Sequence, residues 1–426
     1  MLRLLYNLVF PLVIVALLPG LVLRMWRRGK YRHKFGQRFG FYSPAVRKRL
    51  RSHPRLWIHA VSVGEVNIAL KLIDCLRARN PRCAFVLSTT TSTGFHLADS
   101  KKSEWLEPIY NPLDFWPATL LAFDAIRPTG VVLVEAEVWP NLVGEAKSRG
   151  LPVVLVNARL SPRSEARFRR VRWLAAPLFN RLDALCLQEP ADLVRWEGLG
   201  LARHKLHVTG SIKFDSQSAR PVESLRPLLQ DWGVPVGAPV LIGGSTFPGE
   251  EAALVRCFRK LQKHHPDLFL ILVPRHAERA DSVLAELTGF RVGRRSETPR
   301  GPVEILLVDT TGELPGWYAA STIAFVGKSL CAEGGQNPAE PLQAGIPVLF
   351  GPHMKNFDAL ASSLVSAGGA LCVVDEHSLE STLNTLLGAP DRRRSMVEAG
   401  RVVLASHHDS TTRTAVILEN LLSIRS

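Results

Sequence analysis

The stretch LWIHAVSVGEVNIALKLIDCLRARN, residues 56–80, decides the fold class because an apolar run is followed at once by an amphipathic one. LWIHAVSV (56–63) predicts a buried strand, since it is short and mostly apolar. EVNIALKLIDCLRARN (65–80) predicts a helix, because apolar residues recur at helical spacing at Val66, Ala69, Leu70, Ile73 and Leu76. The next apolar run, CAFVLSTT (83–90), predicts a second strand. Strand, helix and strand in this order predict a parallel sheet.

The same alternation continues along the chain and restarts once. GVVLVEAEV (130–138) and PVVLVNARL (152–160) are further predicted strands. After a polar, proline-rich stretch near 215–239, the pattern returns with a helix at 250–265 and strands at 239–246, 268–275, 303–309, 322–327 and 347–350. The predicted fold class is therefore α/β, with two Rossmann-like domains facing a cleft, which is the GT-B architecture. Ligands of open α/β sheets bind beyond the carboxyl ends of the strands, so the loops there are the candidate site.

The N-terminus carries a nearly uncharged apolar segment. LLYNLVFPLVIVALLPGLVL (4–23) has 20 residues, about the number that crosses a bilayer as a helix. Basic residues follow between Arg24 and Arg38, and the positive-inside rule places the catalytic body in the cytoplasm. A cleaved signal peptide is disfavoured because the run ends in Arg-Met-Trp-Arg-Arg. Two prolines and a glycine interrupt the segment, so a helix that enters only one leaflet also fits, and the depth stays open.

These patterns divide the chain into five predicted parts. The first two are a membrane-anchor helix at 1–25 and a basic juxtamembrane segment at 26–53. An N-terminal Rossmann-like domain at 54–215, a linker at 216–236 and a C-terminal Rossmann-like domain at 237–426 follow.

Composition restricts the partners and cofactors. The formal net charge of +15 favours an acidic partner, namely nucleic acid, anionic lipid or a phosphorylated substrate. Basic residues are not interleaved with aromatic ones, which argues against nucleic acid. The six cysteines form no CxxC pair, so neither a zinc site nor a disulfide framework is expected. The sequence has no DxD, P-loop lysine or GxSxG motif, and we expect neither a metal ion nor a cofactor.

Carboxylates follow two of the predicted strands. Glu65 opens the first helix, where an acid also suits the helix dipole without any catalytic role. At the carboxyl end of a strand, however, it could act as a general base on an acceptor hydroxyl. Glu135 and Glu137 are two apart, which places them on one face of a strand and predicts a raised pKa or a basic partner. A solvated strand end with salt bridges is the simpler interpretation of this pair.

Glycine-rich loops and basic residues follow other strands. In GGQNPAEP (334–341), Asn337 as N-cap, Pro338 at the first helical position and Glu340 at the third form a predicted capping box. Gly335 would allow a ligand to approach the backbone, and the helix start would favour a nucleotide phosphate. GGST (243–246), which contains Gly244 and Ser245, is a weaker candidate for phosphate or sugar. Arg275 and Lys213 follow other strands, and each is either a binding residue or a solvated one.

Motifs spread over nearly the whole chain resemble bacterial 3-deoxy-D-manno-octulosonic acid (Kdo) transferases. They occur in the family's order. They are HAVSVGE (59–65), STTTSTG (88–94), VEAEVWPN (134–141), NARLS (157–161), VTGSIKFD (208–215), GGSTFPGEE (243–251), LVPRHAER (272–279), DTTGEL (309–314) and GGQNPAEP (334–341) with GIPVLFGPHMKNF (345–357).

This resemblance implies an inverting GT-B enzyme that uses CMP-Kdo, the cytidine monophosphate ester of Kdo, without a metal. It implies a lipid A precursor as acceptor, lipopolysaccharide biosynthesis as the setting, and a place on the cytoplasmic face of the inner membrane. By motif position, Glu65 corresponds to the general base, and Glu135 and Lys213 to residues that stabilise the transition state. The residues that correspond to CMP-binding segments are Pro274, Arg275, Thr311, Gly312, Glu313, Asn337, Pro338, Ala339 and Glu340.

The chain departs from the family pattern at two donor loops. Lys328 stands where the family usually has glycine, and Gln336 where it usually has histidine. Two other functions stay open on the residues alone. One is a GT-B enzyme that uses another sugar nucleotide, and the other is a catalytically inactive, membrane-tethered binding protein.

Overall fold

The computed structural model describes residues 6–8, 10, 34–160, 162–215 and 223–422. The chain forms two compact units, Met1–Asp215 with His407–Ser426, and Ser216–Ser406. Most of the predicted membrane anchor at 1–25 and the first part of the basic segment lie outside the described residues.

Within the described part of the chain, no helix combines the length and the apolar character that a membrane span requires.

Unit 1 is built on a seven-stranded parallel sheet. Its strands are β1 Arg55–His59, β2 Ala84–Thr89, β3 Leu106–Tyr110, β4 Gly130–Val134, β5 Val153–Ala158, β6 Ala184–Leu187 and β7 Leu206–Val208. They lie in the order β3-β2-β1-β4-β5-β6-β7. The strand order reverses between β1 and β4, which is the switch point where ligands of doubly wound sheets bind.

Helices cover both faces of this sheet. They are α1 Pro44–Arg51, α2 Val63–Arg79, α3 Ser92–Asp99, α4 Trp116–Ile126, α5 Pro140–Ser148, α6 Pro162–Arg170, α7 Arg172–Phe179 and α8 Pro190–Gly198. A C-terminal helix, Ser410–Leu422, packs on α2. Every residue of β1 is buried, with Trp57 in the core on one face and Ile58 in the core on the other. Parallel strands covered on both faces explain why the sequence shows continuous apolar runs rather than alternation.

Unit 2 repeats the architecture with a second seven-stranded parallel sheet. Its strands are β8 Val240–Thr246, β9 Phe269–Pro274, β10 Val292–Arg294, β11 Ile305–Leu307, β12 Ile323–Val326, β13 Val348–Phe350 and β14 Ala370–Cys372. Their order is β10-β11-β9-β8-β12-β13-β14, so the switch point lies between β8 and β12.

The helices of unit 2 again pack on both faces of the sheet. They are α9 Leu228–Asp231, α10 Glu250–Leu261, α11 Ala280–Glu286, α12 Leu314–Ala319, α13 Ala339–Gln343, α14 Asp358–Ser366, α15 Glu376–Leu387 and α16 Pro390–Ala405. Two α/β domains, each with a parallel Rossmann-like sheet, confirm the predicted α/β fold class.

Two predicted domain limits differ from the structure. The predicted linker at 216–236 contributes Leu229, Trp232 and Val234 to the core of unit 2, so the described residues 223–236 belong to that unit. Trp232 packs so tightly on Gly293 that a Cβ there would lie 2.3 Å from the ring. The predicted C-terminal domain ran to residue 426, but the chain returns to unit 1 at His407, and Ala415, Leu418 and Leu422 are buried in the core of that unit.

Candidate active site

Glu65 lies in the first turn of α2, directly after the loop that follows β1. Its side chain is 7% exposed. The backbone N–H of Val61 donates to Glu65 Oε2 at 2.9 Å, and the Ser62 hydroxyl donates to Glu65 Oε1 at 2.8 Å. In return the Glu65 N–H donates to Ser62 Oγ at 3.4 Å, which makes Ser62 the N-cap of the helix. One cap therefore both starts the helix and fixes the carboxylate in a single orientation.

Glu135 follows β4, the neighbour of β1 across the switch point. Its φ is +63°, a left-handed conformation that costs a non-glycine residue roughly 1–2 kcal/mol. The predicted strand at 130–138 ends at Val134, so Glu135 and Glu137 lie in the loop that follows it and not on one strand face. Strained backbone of this kind is concentrated at functional sites.

The surroundings of Glu135 raise the pKa of its carboxyl group from 4.5 to about 7. Burial is the largest cause, and the carboxylates of Glu65 and Glu137 act in the same direction, while Lys213 and Arg159 act in the opposite direction. These four side chains are therefore near enough to Glu135 for their charges to act on it. The predicted raised pKa is present, and so are the basic neighbours that the sequence left as an alternative.

Glu137 belongs to the same cluster. Burial raises its pKa, and the Glu65 carboxylate adds to the effect. The indole N–H of Trp139 donates to Glu137 Oε2 at 3.0 Å and works against that rise. Glu137 is thus bonded to its own loop, which favours a supporting role over a chemical one.

Two cations complete the cluster. Lys213 lies in a turn after β7, where burial lowers its pKa and nearby Arg159 lowers it further, while Glu135 raises it. Arg159 follows β5 and also acts on the pKa of Glu189 and Asp192. Sequence reasoning singled out Lys213 but not Arg159, although the NARLS motif at 157–161 contains it.

The loops of unit 2 are joined by one buried carboxylate, that of Glu250 at the start of α10. It is fully buried and accepts four backbone N–H bonds. The donors are Phe247 at 2.9 Å, Lys328 at 2.7 Å, Ser329 at 2.8 Å and Leu330 at 3.0 Å. Phe247 follows β8 and the other three follow β12, so Glu250 fixes the loops on both sides of the switch point. Sequence reasoning did not single out Glu250, although the GGSTFPGEE motif at 243–251 contains it.

The predicted capping box at Asn337 is present in altered form. Helix α13 begins at Ala339, one residue later than predicted, with Pro338 at its N-cap position. Asn337 Oδ1 accepts from the Ala339 N–H at 3.1 Å, and Asn337 Nδ2 donates to Glu340 Oε1 at 3.0 Å. The second bond of the box thus joins the side chains of Asn337 and Glu340. The Ala339 N–H, one of the groups expected to bind a phosphate, already has Asn337 as its acceptor.

Glu340 is a buried carboxylate beside a basic residue. Burial raises its pKa, while the bond from Asn337 and the charge of Arg275 lower it. Arg275 follows Pro274, the last residue of β9, and its backbone N–H donates to the Thr246 carbonyl at the end of β8. The exposed Arg275 guanidinium and the Glu340 carboxylate therefore share one edge of the second sheet.

The DTTGEL loop lies after β11, the neighbour of β9 in the same sheet. Thr311 and Gly312 are exposed, and Gly312 has φ +90°, which suits only glycine. Glu313 accepts from Arg295 at 2.9 Å and from the Thr310 hydroxyl, so its carboxylate is oriented before any ligand binds.

The glycines of GGST and GGQN have structural explanations. A Cβ on Gly244 would lie 2.1 Å from the Tyr318 hydroxyl, and one on Gly335 would lie 2.6 Å from Met354 Sδ. Packing thus accounts for both, and GGST forms the end of β8 rather than a turn. Ser245 has φ +54° and Lys328, after β12, has φ +57°. The two strand ends at the switch point therefore both carry strained residues.

Among the described residues, no group of three or more histidine, cysteine, aspartate or glutamate side chains is placed to hold a metal ion.

Comparison with known proteins agrees with this arrangement. A family model described as 3-deoxy-D-manno-octulosonic-acid transferase (kdotransferase) matches residues 33–216. The chain is 35% identical to the 3-deoxy-D-manno-octulosonic acid transferase of Bordetella pertussis, in an alignment that covers 97% of this chain and 99% of that one. The chain belongs to the Kdo-transferase family. The enzyme of that name from Haemophilus influenzae is 33% identical over 92% of both chains.

A solved glycosyltransferase has the same fold as this member of the Kdo-transferase family. The glycotransferase of kitacinnamycin aligns with a TM-score of 0.55 over 87% of this chain and 99% of its own, at 16% identity. This likeness shows that the two Rossmann-like domains have the GT-B fold. Membership of the Kdo-transferase family makes the chain a glycosyltransferase.

Proposed function

We propose that this Kdo-transferase family member moves Kdo, with inversion, from CMP-Kdo to a phosphorylated lipid A precursor in lipopolysaccharide biosynthesis. The observation that carries the proposal is the Glu65 carboxylate. It is fixed by two hydrogen bonds at the first switch point, within electrostatic reach of Glu135. A carboxylate held in this way is suited to accept a proton from an acceptor hydroxyl.

In the proposed step, Glu65 takes the proton of the acceptor hydroxyl as that oxygen attacks the anomeric carbon of Kdo. The new carbon–oxygen bond forms while the bond from that carbon to the CMP phosphate oxygen breaks. CMP leaves with the electron pair, and the configuration inverts because attack and departure are on opposite faces. General base catalysis typically contributes about 10²–10⁴-fold to such a rate.

Glu135 and Lys213 act on the charge that develops in this step. A protonated Glu135 carboxyl can donate a hydrogen bond to developing negative charge, whereas an ionised one would repel it. Lys213 is a half-buried ammonium group, so its charge is less screened than at the surface. The raised pKa of Glu135 supports this role, since it favours the protonated carboxyl group more than the ordinary value of 4.5 would.

The loops of unit 2 would hold the CMP part of the donor. Arg275 is exposed at the end of β9 and would pair with the phosphate. Glu340, oriented by Asn337, would accept from ribose hydroxyls. Pro274, Thr311, Gly312, Glu313, Pro338 and Ala339 would line the same site. The proposed reaction uses no metal and no cofactor, since CMP-Kdo is a substrate.

The acceptor side is proposed to lie at an anionic membrane surface. Asn7, inside the predicted anchor, exchanges hydrogen bonds of 2.9 and 2.8 Å with Asn141 of α5. Trp139, which bonds to Glu137, is an exposed apolar side chain of unit 1, and so are Leu8, Phe115 and Trp116. Aromatic side chains of this kind favour membrane interfaces. These residues support an enzyme at a membrane, and the basic residues between Arg24 and Arg38 support the cytoplasmic face of the inner membrane.

A transfer assay tests the proposed function. Detergent-solubilised full-length protein is mixed with CMP-Kdo, a tetraacylated bisphosphorylated lipid A precursor and EDTA, and the products are weighed by mass spectrometry. The proposal predicts mass increments of one or more Kdo units. Transfer from another sugar nucleotide and none from CMP-Kdo would contradict it.

A further inference from the structure

The segment that carries Lys213 is held by side chains from distant parts of unit 1. Lys213 lies in a turn between β7 and Asp215, the last residue of unit 1 before the chain enters unit 2. The turn, residues 211–215, has two backbone hydrogen bonds of its own, at 3.1 and 3.4 Å, and its other contacts come from distant parts of the unit.

Asn157 holds the turn from the end of β5. Its Oδ1 accepts from the Ile212 N–H at 2.9 Å and from the Ser211 hydroxyl at 3.3 Å. Asn157 is 1% exposed and has φ +53°, a conformation in which asparagine is among the few tolerated residues. Its Nδ2 has no hydrogen-bond partner among the described residues. The side chain therefore acts on the turn through its carbonyl oxygen.

His407 holds the same turn from the other end of the chain. It is the first residue after the chain returns to unit 1, and its ring is buried. The Ser211 N–H donates to His407 Nδ1 at 3.2 Å, so this nitrogen carries no proton. Burial lowers the pKa of His407 to about 4, which keeps the ring neutral and Nδ1 available as an acceptor. The centroids of the Phe214 ring and the His407 imidazole are 5.5 Å apart. The Lys213 ammonium lies 5.7 Å from the centroid of the Phe214 ring.

Three more contacts continue this arrangement on either side of Lys213. Arg413 donates to the Thr209 carbonyl through Nε and Nη2, at 3.0 and 2.8 Å. The Thr411 N–H donates to the Asp215 carboxylate at 2.7 Å. Lys71, on α2, donates to the Ile212 carbonyl at 3.4 Å. The two backbone N–H groups that precede Lys213 thus have side-chain acceptors. The two ends of the segment 209–215 are also bonded to other parts of unit 1.

We propose that Asn157 and His407 are positioning residues that hold the Lys213 ammonium within electrostatic reach of Glu135. Because His407 begins the C-terminal part of unit 1, that part of the chain then contributes to the transfer site. This inference rests on the proposed function for its activity readout. Neither residue is assigned contact with substrate. They act by fixing the backbone N–H groups of Ser211 and Ile212, the two residues that precede Lys213, and so they fix the direction of its side chain.

Two substitutions separate positioning from folding. Asn157→Gly removes the acceptor but keeps the left-handed backbone, which glycine adopts freely. His407→Asn keeps an acceptor near the place of Nδ1, whereas His407→Gln puts its amide near the place of Nε2. His408→Gln is the matched control, because His408 is the exposed neighbour, with 57% of its side chain accessible.

The expected result is a change in kcat without a change in donor affinity. Since misplacement by about 1 Å can cost about 100-fold, Asn157→Gly and His407→Gln should lower kcat by about 10–100-fold per folded molecule. The KM for CMP-Kdo should stay within about threefold, because the donor loops belong to unit 2. His407→Asn should recover most of the rate, and His408→Gln should match the wild type. Equal rates for His407→Asn and His407→Gln, or an unchanged kcat in Asn157→Gly, would overturn the proposal.

A second measurement is independent of the reaction. Lysines are labelled by reductive methylation with ¹³C, and the Lys213 signal is assigned from its loss in Lys213→Arg. Asn157→Gly and His407→Gln should shift that signal and its titration, and His408→Gln should not. If wild-type protein transfers no Kdo but these shifts occur, the proposed function fails while the positioning stands. If transfer occurs and the Lys213 signal is unmoved, only the positioning fails.

Discussion

The Glu65 carboxylate lies close enough to Glu135 for its negative charge to raise the pKa of the Glu135 carboxyl group. The two residues follow neighbouring strands on either side of the switch point of the first sheet. The Glu65 carboxylate is oriented by two hydrogen bonds, and the pKa of the Glu135 carboxyl group is raised to about 7. Environments that separate the protonation states of two carboxyl groups are a recurrent way to assign a base and a proton donor.

The pH dependence of transfer should report the ionisation of Glu135. Because the protonated form is the hydrogen-bond donor, kcat should fall as pH rises through about 7. Glu137 raises the pKa of Glu135 and Arg159 lowers it. Glu137→Gln should therefore move the fall in rate to lower pH, and Arg159→Met should move it to higher pH. The pH–rate profiles of the two variants measure this, and shifts in the same direction would contradict the assignment.

Removing the buried Glu250 carboxylate should destabilise unit 2. Glu250→Ala leaves four backbone N–H groups without their acceptor, at an expected cost of about 2–5 kcal/mol. Hydrogen exchange in residues 326–332 should increase, since three of the donors lie there. Glu380→Ala is the control, because it removes a surface ion pair with Lys260, and exposed pairs of this kind contribute little to stability. Similar exchange in both variants would show that Glu250 does not hold these loops.

The strained backbone at Lys328 predicts opposite effects of two substitutions. Lys328 has φ +57°, which glycine adopts freely and a β-branched residue tolerates poorly. Lys328→Gly should leave the free energy of unfolding unchanged or raise it by about 1 kcal/mol, after allowing for the flexibility of glycine in the unfolded chain. Lys328→Val should lower it by about 1 kcal/mol or more. Denaturant unfolding of wild type, Lys328→Gly and Lys328→Val measures these free energies. Equal stability of the two variants would contradict the prediction.

Nucleotide binding should depend on Glu340. A hydrogen bond to a charged group contributes about 1.5–3 kcal/mol, so Glu340→Ala should weaken CMP binding by about 10–100-fold. Titration calorimetry with CMP and no acceptor isolates this effect. Glu286→Ala provides the control, as an exposed carboxylate on α11. Wild-type affinity in Glu340→Ala would remove Glu340 from the donor site.

The α/β class followed from runs such as LWIHAVSV, because strands buried on both faces are apolar throughout. The ends of the strands were less accurate. The predicted strand at 130–138 included Glu135, which follows an apolar run in the sequence. In the structure β4 ends at Val134, and the backbone of Glu135 is in the left-handed region. Short edge strands such as β10, Val292–Arg294, give too few residues for a pattern and were not predicted.

Glu65 was singled out because it follows a strand and begins a helix, a relationship that is local in the chain. Asn157, His407 and Glu250 were not, because each acts on backbone groups distant in sequence. Asn157 and Ile212 are 55 residues apart, and His407 and Ser211 are 196 apart. No local spacing encodes such contacts, and they exist only once the sheet has brought the strand ends together.

The most direct test of the account is the single-turnover rate of Kdo transfer from CMP-Kdo by wild type, Glu65→Gln and Glu104→Gln, with CMP affinity measured on the same samples. Glu104 is an exposed carboxylate of unit 1, so Glu104→Gln should match the wild type. Glu65→Gln should lose about 10²–10⁴-fold in rate with CMP affinity within about threefold of wild type. Transfer by Glu65→Gln at the wild-type rate would contradict the assignment of Glu65 as the base.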